Sequence, residues 1–254
     1  MRAYAFLGDG LLVYQRAVIG LLRERLGLDV EEPVTAELSE LEALSAGDPA
    51  LLFLCGLPYV RARDQGLPLE PLVAPVAMDA PDEPPGYHSV LMGRPALVGA
   101  KLAGLDGLAL GINGYDSLSG WVLPVGMGLP LSACSSTTVT GGHLRSLEAL
   151  VAGTIDCAPI DSMLLAAELI ARPDLSGLPE LAVYGPAPSP PVVLVGGDAA
   201  LAARLTAALA ALHEDPAGRA ALTLGGMARL APVADSTYDI VRTLDRKAAA
   251  CTPS

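Results

Sequence analysis

Short apolar runs alternate along this chain with stretches whose apolar residues recur every three or four positions, the pattern of an α/β protein. Residues 3–7 read as a strand, and Gly8-Asp9-Gly10 turns it into a helix over 11–26. Thr35 then caps a helix that carries Leu38, Leu41 and Leu44 on one face and is ended by Gly47. Residues 51–54 form a short buried strand running into the loop Cys55-Gly56-Leu57-Pro58-Tyr59, and 72–78 form another.

The stretch 79–86 concentrates prolines and ends in Gly86, which marks a crossing between units. Residues 87–92 read as a strand leaving it, and 108–112, 119–125, 144–151, 156–160 and 162–171 continue the strand and helix alternation. A second proline-rich crossing, 185–191, leads into a strand over 192–195, and helices over 199–213, 216–224 and 236–249 close the chain. Two crossings around a self-contained unit predict one lobe from 1–88 and 187–254 and an inserted lobe from 89–186, with two crossing strands as a hinge. No internal repeat of fixed period is present.

Two segments place hydroxyls and glycines just ahead of a helical stretch. In Asp116-Ser117-Leu118-Ser119-Gly120, both serines can donate in the direction of the free helix amides, and Gly120 lets a ligand approach the backbone. Simple N-capping by Asp116 or Ser117 is the alternative. In Thr140-Gly141-Gly142-His143, Thr140 is the expected N-cap, and His143 in the first turn can bond an oxyanion or be structural. Asp161 follows the strand at 156–160, where open α/β sheets bind ligands, and can equally be the cap of the next helix. Tyr87 at the crossing and Tyr59 after Cys55-Gly56 are candidates for lining the cleft or for packing.

With 28 acidic and 16 basic residues the net charge is −12, which disfavours nucleic acid and anionic membranes as partners. Gly and Pro interrupt every apolar run short of a membrane span, so no insertion is expected. Cys55, Cys134, Cys157 and Cys251 are too scattered for a metal site, and they read as buried, reduced residues. No dinucleotide, phosphate-loop, nucleophile-elbow or zinc-protease motif occurs, so neither a cofactor nor a metal nor a catalytic residue is assigned. The N-terminus shows no basic region, no apolar core and no lipidation cysteine, which places the sequence as it stands in the cytoplasm, or in the periplasm or at the cell surface if a leader has been removed.

Five segments in order, Leu54 through Tyr59, Tyr87-His88-Ser89, Asn113 through Gly120, Thr140 through Leu147 and Gly153 through Ser162, resemble the substrate-binding components of ABC-type phosphate and phosphonate transporters. The resemblance implies a two-lobed periplasmic-binding-protein fold of type II and a monomer that binds a small anion or zwitterion and feeds an ABC permease. It places ligand contacts on Ser117, Ser119, His143, Tyr87 and Asp161. The chain departs from the family in having Leu118 where a hydroxyl residue is usual, which removes one donor. The alternatives are a ligand sensor, or a cytoplasmic enzyme on the same scaffold similar to those of menaquinone or thiamine-pyrimidine biosynthesis.

Overall fold

The computed structural model describes residues 1–7, 11–45, 48–78, 80, 82–99 and 106–252. The expected turn at Gly8-Asp9-Gly10 and helix stop at Gly47 lie outside them. The first elements are β1 (Arg2–Ala5), α1 (Leu12–Leu26), β2 (Val34–Thr35), α2 (Leu41–Ser45), β3 (Ala50–Phe53), α3 (Gly56–Asp64) and β4 (Leu69–Ala77). There follow β5 (Tyr87–Gly93), β6 (Ala109–Ile112), α4 (Leu123–Gly126), β7 (Ser136–Val139), α5 (His143–Ala152), β8 (Cys157–Asp161) and α6 (Ser162–Ala171). The chain ends with β9 (Glu180–Ala187), β10 (Val192–Val195), α7 (Ala199–Ala210), α8 (Pro216–Thr223), β11 (Met227–Pro232) and α9 (Asp239–Ala249).

These elements form two compact units, Met1–Gly86 with Pro188–Asp239, and Tyr87–Ala187 with Ile240–Ser254. The first holds a sheet in the order β11-β4-β10-β3-β1-β2. Within it β1 runs parallel to β2 and β3, while β10 is antiparallel to β3 and β4. Leu51, Leu52 and Phe53 are all buried, as expected of a central strand covered on both faces. Thr35 does not cap a helix; it pairs with Ala5 in the sheet. The 3-10 turn Leu38–Glu40 that leads into α2 is capped instead by Glu37, whose N–H donates to Glu40 Oε2 at 2.9 Å. A carboxylate three residues on satisfies the orphan amide, which leaves Thr35 to the ladder.

The second unit repeats the strand logic in the order β7-β6-β8-β5-β9. Again the first of three parallel strands is central, β6 between β7 and β8, and an antiparallel strand, β5, joins them to the fifth. Val90, Met92, Leu147, Leu150, Ile160 and Leu165 pack between this sheet and its helices. Strand β7 carries no apolar alternation, since all four of its residues are exposed, and it was not expected.

The last helix belongs to this second unit, whereas the sequence pattern assigns 187–254 entirely to the first. Its Val241, Leu244 and Ala248 are buried. A Cβ on Gly126 would lie 3.0 Å from the Leu244 side chain and carbonyl, so α9 and α4 touch backbone to backbone. Trp121 Nε1 donates to Thr252 Oγ1 at 3.2 Å. The chain therefore passes between the units at a third point, Asp239/Ile240, besides the two that proline marks.

Candidate functional site

Because β6, β7 and β8 run parallel, their carboxyl ends emerge along one edge of the second unit, and each is followed there by a helix start. Such an edge is where open α/β sheets place their ligands. Strand β5 runs the other way, and its beginning reaches the same edge, with Ser89 opposite Asp161.

After β6 the chain makes a loop at 113–117 and then a π turn, Leu118–Val122, in which Val122 N donates to the Ser117 carbonyl at 3.0 Å. Ser117 Oγ accepts from Gly120 N at 3.0 Å and from Asn113 Nδ2 at 3.4 Å, so its acceptor positions serve the turn and only its proton is left to donate. Gly120 is buried, and a Cβ there would meet Asn113 Cγ and Ser117 Oγ at 2.8 Å. The space beside it is filled by the protein's own side chains, and its amide is already used.

Ser119, 5% exposed, is held from both sides. Its carbonyl accepts from the fully buried Ser89 hydroxyl at 2.6 Å, and its own Oγ lies 2.9 Å from His143 Nε2. His143 opens α5 behind the N-cap Gly142, which has no side chain to offer, so the first amides of α5 have no side-chain cap. Burial drives the His143 pKa down to about 4, against a smaller opposing pull from the Pro159 carbonyl. No hydrogen bond of ordinary geometry reaches its Nδ1. The imidazole is therefore neutral near pH 7, and whether Nε2 donates to Ser119 or accepts from it depends on the tautomer.

Thr140 serves as framework. Its Oγ1 donates to the Ile112 carbonyl at 2.9 Å and stands 2.7 Å from the fully buried Ser146 Oγ, which supplies the proton between them. Asp161 caps α6 by accepting from Met163 N at 2.9 Å and Leu164 N at 3.2 Å. Burial nevertheless raises its carboxyl to about 6, with the two amides pulling the other way. Tyr87 starts β5 opposite Ala187 and is 3% exposed, and next to it His88 N donates to Ser162 Oγ at 3.0 Å.

Tyr59 lies in the first unit, fully buried. Its hydroxyl donates to Asp235 Oδ1 at 2.6 Å and its ring meets Tyr238 edge-on at 4.9 Å. Asp235 also takes Arg63 Nε at 3.5 Å. Those bonds account for Tyr59 as a core residue of that unit.

Ser89, in the crossing segment Tyr87-His88-Ser89, supports this edge through the Ser119 carbonyl, and Ser146 supports it through Thr140. Pattern reading does not single out Ser146, because a lone serine inside an apolar helix looks like a tolerated small residue; its signal is energetic, since a serine on the core face must find a partner. Among the described residues no cluster of three or more potential metal ligands occurs.

Two α/β units with mixed sheets, joined by repeated crossings, with helix starts and hydroxyls gathered at one sheet edge of the second, have the architecture of two-lobed binding proteins. The comparisons place the chain within that class. Residues 16–238 match the family described as "ABC transporter, phosphonate, periplasmic substrate-binding protein", and the chain belongs to that family of transporter components. Among solved structures it is similar to PhnD1 of Prochlorococcus marinus in complex with methylphosphonate, with TM-score 0.80 and 15% identity over 97% of each chain. It is also similar to a binding-protein component of an ABC phosphonate transporter of Pseudomonas aeruginosa, with TM-score 0.78 and 15% identity over 100% of this chain and 89% of that one. A third likeness is to the aliphatic sulphonate binding protein SsuA of Escherichia coli, with TM-score 0.62 and 15% identity over 97% and 85%. At these identities the structural likeness establishes the fold. The comparison with curated proteins gives no match.

Proposed function

We propose that the chain binds a small phosphonate-type anion at the edge where β6, β7 and β8 end, and that as a monomer outside the cytoplasm it delivers this ligand to an ABC permease. The observation that carries the reading is the meeting of Ser119 and His143, from two different helix starts, at 2.9 Å. With its proton on Nε2, His143 donates to Ser119 and leaves the serine hydroxyl proton for a ligand oxygen. The uncapped amides of α5 add oriented donors. Ser117 contributes a further hydroxyl, and Asp161, protonated or ionised, reads the protonation of the ligand beside it. The family to which the chain belongs and the methylphosphonate held by a protein of the same fold support this assignment.

Titration calorimetry with methylphosphonate, phosphate, methanesulfonate and acetate tests it. Losing a hydrogen bond to an ionised ligand costs about 1.5–3 kcal/mol, so Ser119→Ala and His143→Ala are each expected to weaken methylphosphonate binding about tenfold or more. Unchanged affinity in both variants would remove this edge from the binding site.

A further inference from the structure

Asp161 puts an acid on an edge that is otherwise built to receive an anion. It ends β8 directly opposite Ser89 of β5, so the two side chains leave the same face of the sheet from Cα atoms about 4.5–5.5 Å apart. The Ser89 hydroxyl donates to the Ser119 carbonyl at 2.6 Å, and Ser119 Oγ lies 2.9 Å from His143 Nε2. Strand β8 also packs against the π turn that carries Ser119. One residue, Ser89, thus links the carboxyl to the Ser119 and His143 pair.

Only one of its oxygens is used by the helix cap. Oδ1 accepts from Met163 N at 2.9 Å and from Leu164 N at 3.2 Å, and among the described residues Oδ2 has no hydrogen-bond partner. No cation offsets the group. Segments 87–89, 113–121, 140–144 and 161–164 contain neither lysine nor arginine. The titratable neighbours at this edge are His88 on β5, the neutral His143 on α5 and the exposed Asp116 on the loop after β6, while Arg145, exposed, lies over Gly141. None of these charges enters the displacement of the carboxyl, which comes from burial and is opposed only by the two capping amides.

A carboxylate with no cation beside it repels an incoming anion unless a proton lies between the two. A sulfonate or a simple carboxylate brings no proton at neutral pH, whereas a phosphonate, like a phosphomonoester, gives up its second proton only near neutrality. We propose that Asp161 is a specificity-determining residue whose Oδ2 accepts the P–OH proton of a phosphonate monoanion, so that the protein takes singly protonated phosphonates and rejects sulfonates and carboxylates. This rests on the binding reading given above, with Ser119 and the α5 amides on the unprotonated oxygens and the P–OH oxygen on the Asp161 side. No bond to phosphorus changes, and a ligand that arrives as the dianion takes up one proton from solvent on binding.

The test is calorimetry with methylphosphonate and methanesulfonate on the wild type, Asp161→Asn and Ser119→Ala. At pH 7 the wild type is expected to prefer methylphosphonate about tenfold or more, as a charge-assisted hydrogen bond allows. Asp161→Asn keeps the capping oxygen and replaces the repelling one with an N–H donor, so the preference should collapse to near parity through a gain in sulfonate binding. In Ser119→Ala both ligands should weaken together. On the wild type, methanesulfonate affinity should rise as pH falls through about 6, where the carboxyl gains its own proton, and His143 stays neutral over that range. Equal binding of the two ligands by the wild type at pH 7, or a preference that survives in Asp161→Asn, overturns the role of Asp161 and leaves the binding reading standing. A wild type that binds neither ligand overturns both.

Discussion

At the scale of single residues, His143 and Asp161 have pKa values displaced toward each other by the same burial, and their effects on folding oppose. His143 in the native protein refuses a proton that the unfolded chain accepts between about 6.5 and 4, so its contribution is lost as pH falls through that range. Asp161 does the reverse. Its native carboxyl keeps a proton that the unfolded chain releases between 3.8 and about 6, so its contribution is lost as pH rises through that range. Where the windows overlap, proton uptake by the two states is nearly matched and stability is nearly flat. Asp161→Asn, which preserves the cap, should expose the histidine term, with stability falling from pH 6.5 to 4 by up to about 1.4 kcal/mol per pH unit. His143→Gln should show the opposite slope, and urea titrations across pH would read both. A second prediction concerns Gly120. Gly120→Ala drives a methyl group into Asn113 and Ser117 and is expected to cost about 1–3 kcal/mol and to abolish ligand binding. Gly142→Ala, with nothing within 4 Å of the new Cβ, should leave the melting temperature nearly unchanged. Thermal denaturation of the two variants checks the contrast.

Among the elements, what the sequence reveals depends on whether an element buries a face. The helices α1, α7 and α9 and the strands β3 and β10 bury regular apolar positions, and the pattern of residues announces them. Strand β7 is an exposed edge held only by β6, so Ser136 to Val139 carry no such signal. The start of α5 was legible because glycines and a histidine stand together ahead of an apolar stripe, yet Thr140 turns inward to Ile112 and Ser146, a choice set by three-dimensional neighbours. Tyr59 illustrates the limit. Its partner Asp235 is 176 positions away, and no local reading connects them. For α9, Leu244→Ala removes a side chain only 4% exposed and should destabilise the protein by about 2–4 kcal/mol in urea unfolding.

For the whole molecule, composition sufficed to indicate two α/β units, since proline and glycine gather at 79–86 and 185–191. The third passage leaves no such mark in the sequence, because a 3-10 turn, Asp235–Tyr238, runs straight into α9 with no proline or glycine at the boundary. That interleaving of segments has a consequence for the order in which the protein can be made. A ribosome releases the chain from its N-terminus, and when β4 emerges it cannot join β3, because the strand between them, β10, has yet to be translated. The inserted unit has all five strands once Ala187 is out, but Gly126 and Trp121 still lack Leu244 and Thr252. Neither half can be finished and set aside while the other is synthesised. The nascent polypeptide thus stays incompletely folded for most of this stretch: the first unit reaches its final packing only with β11 and the second only with α9.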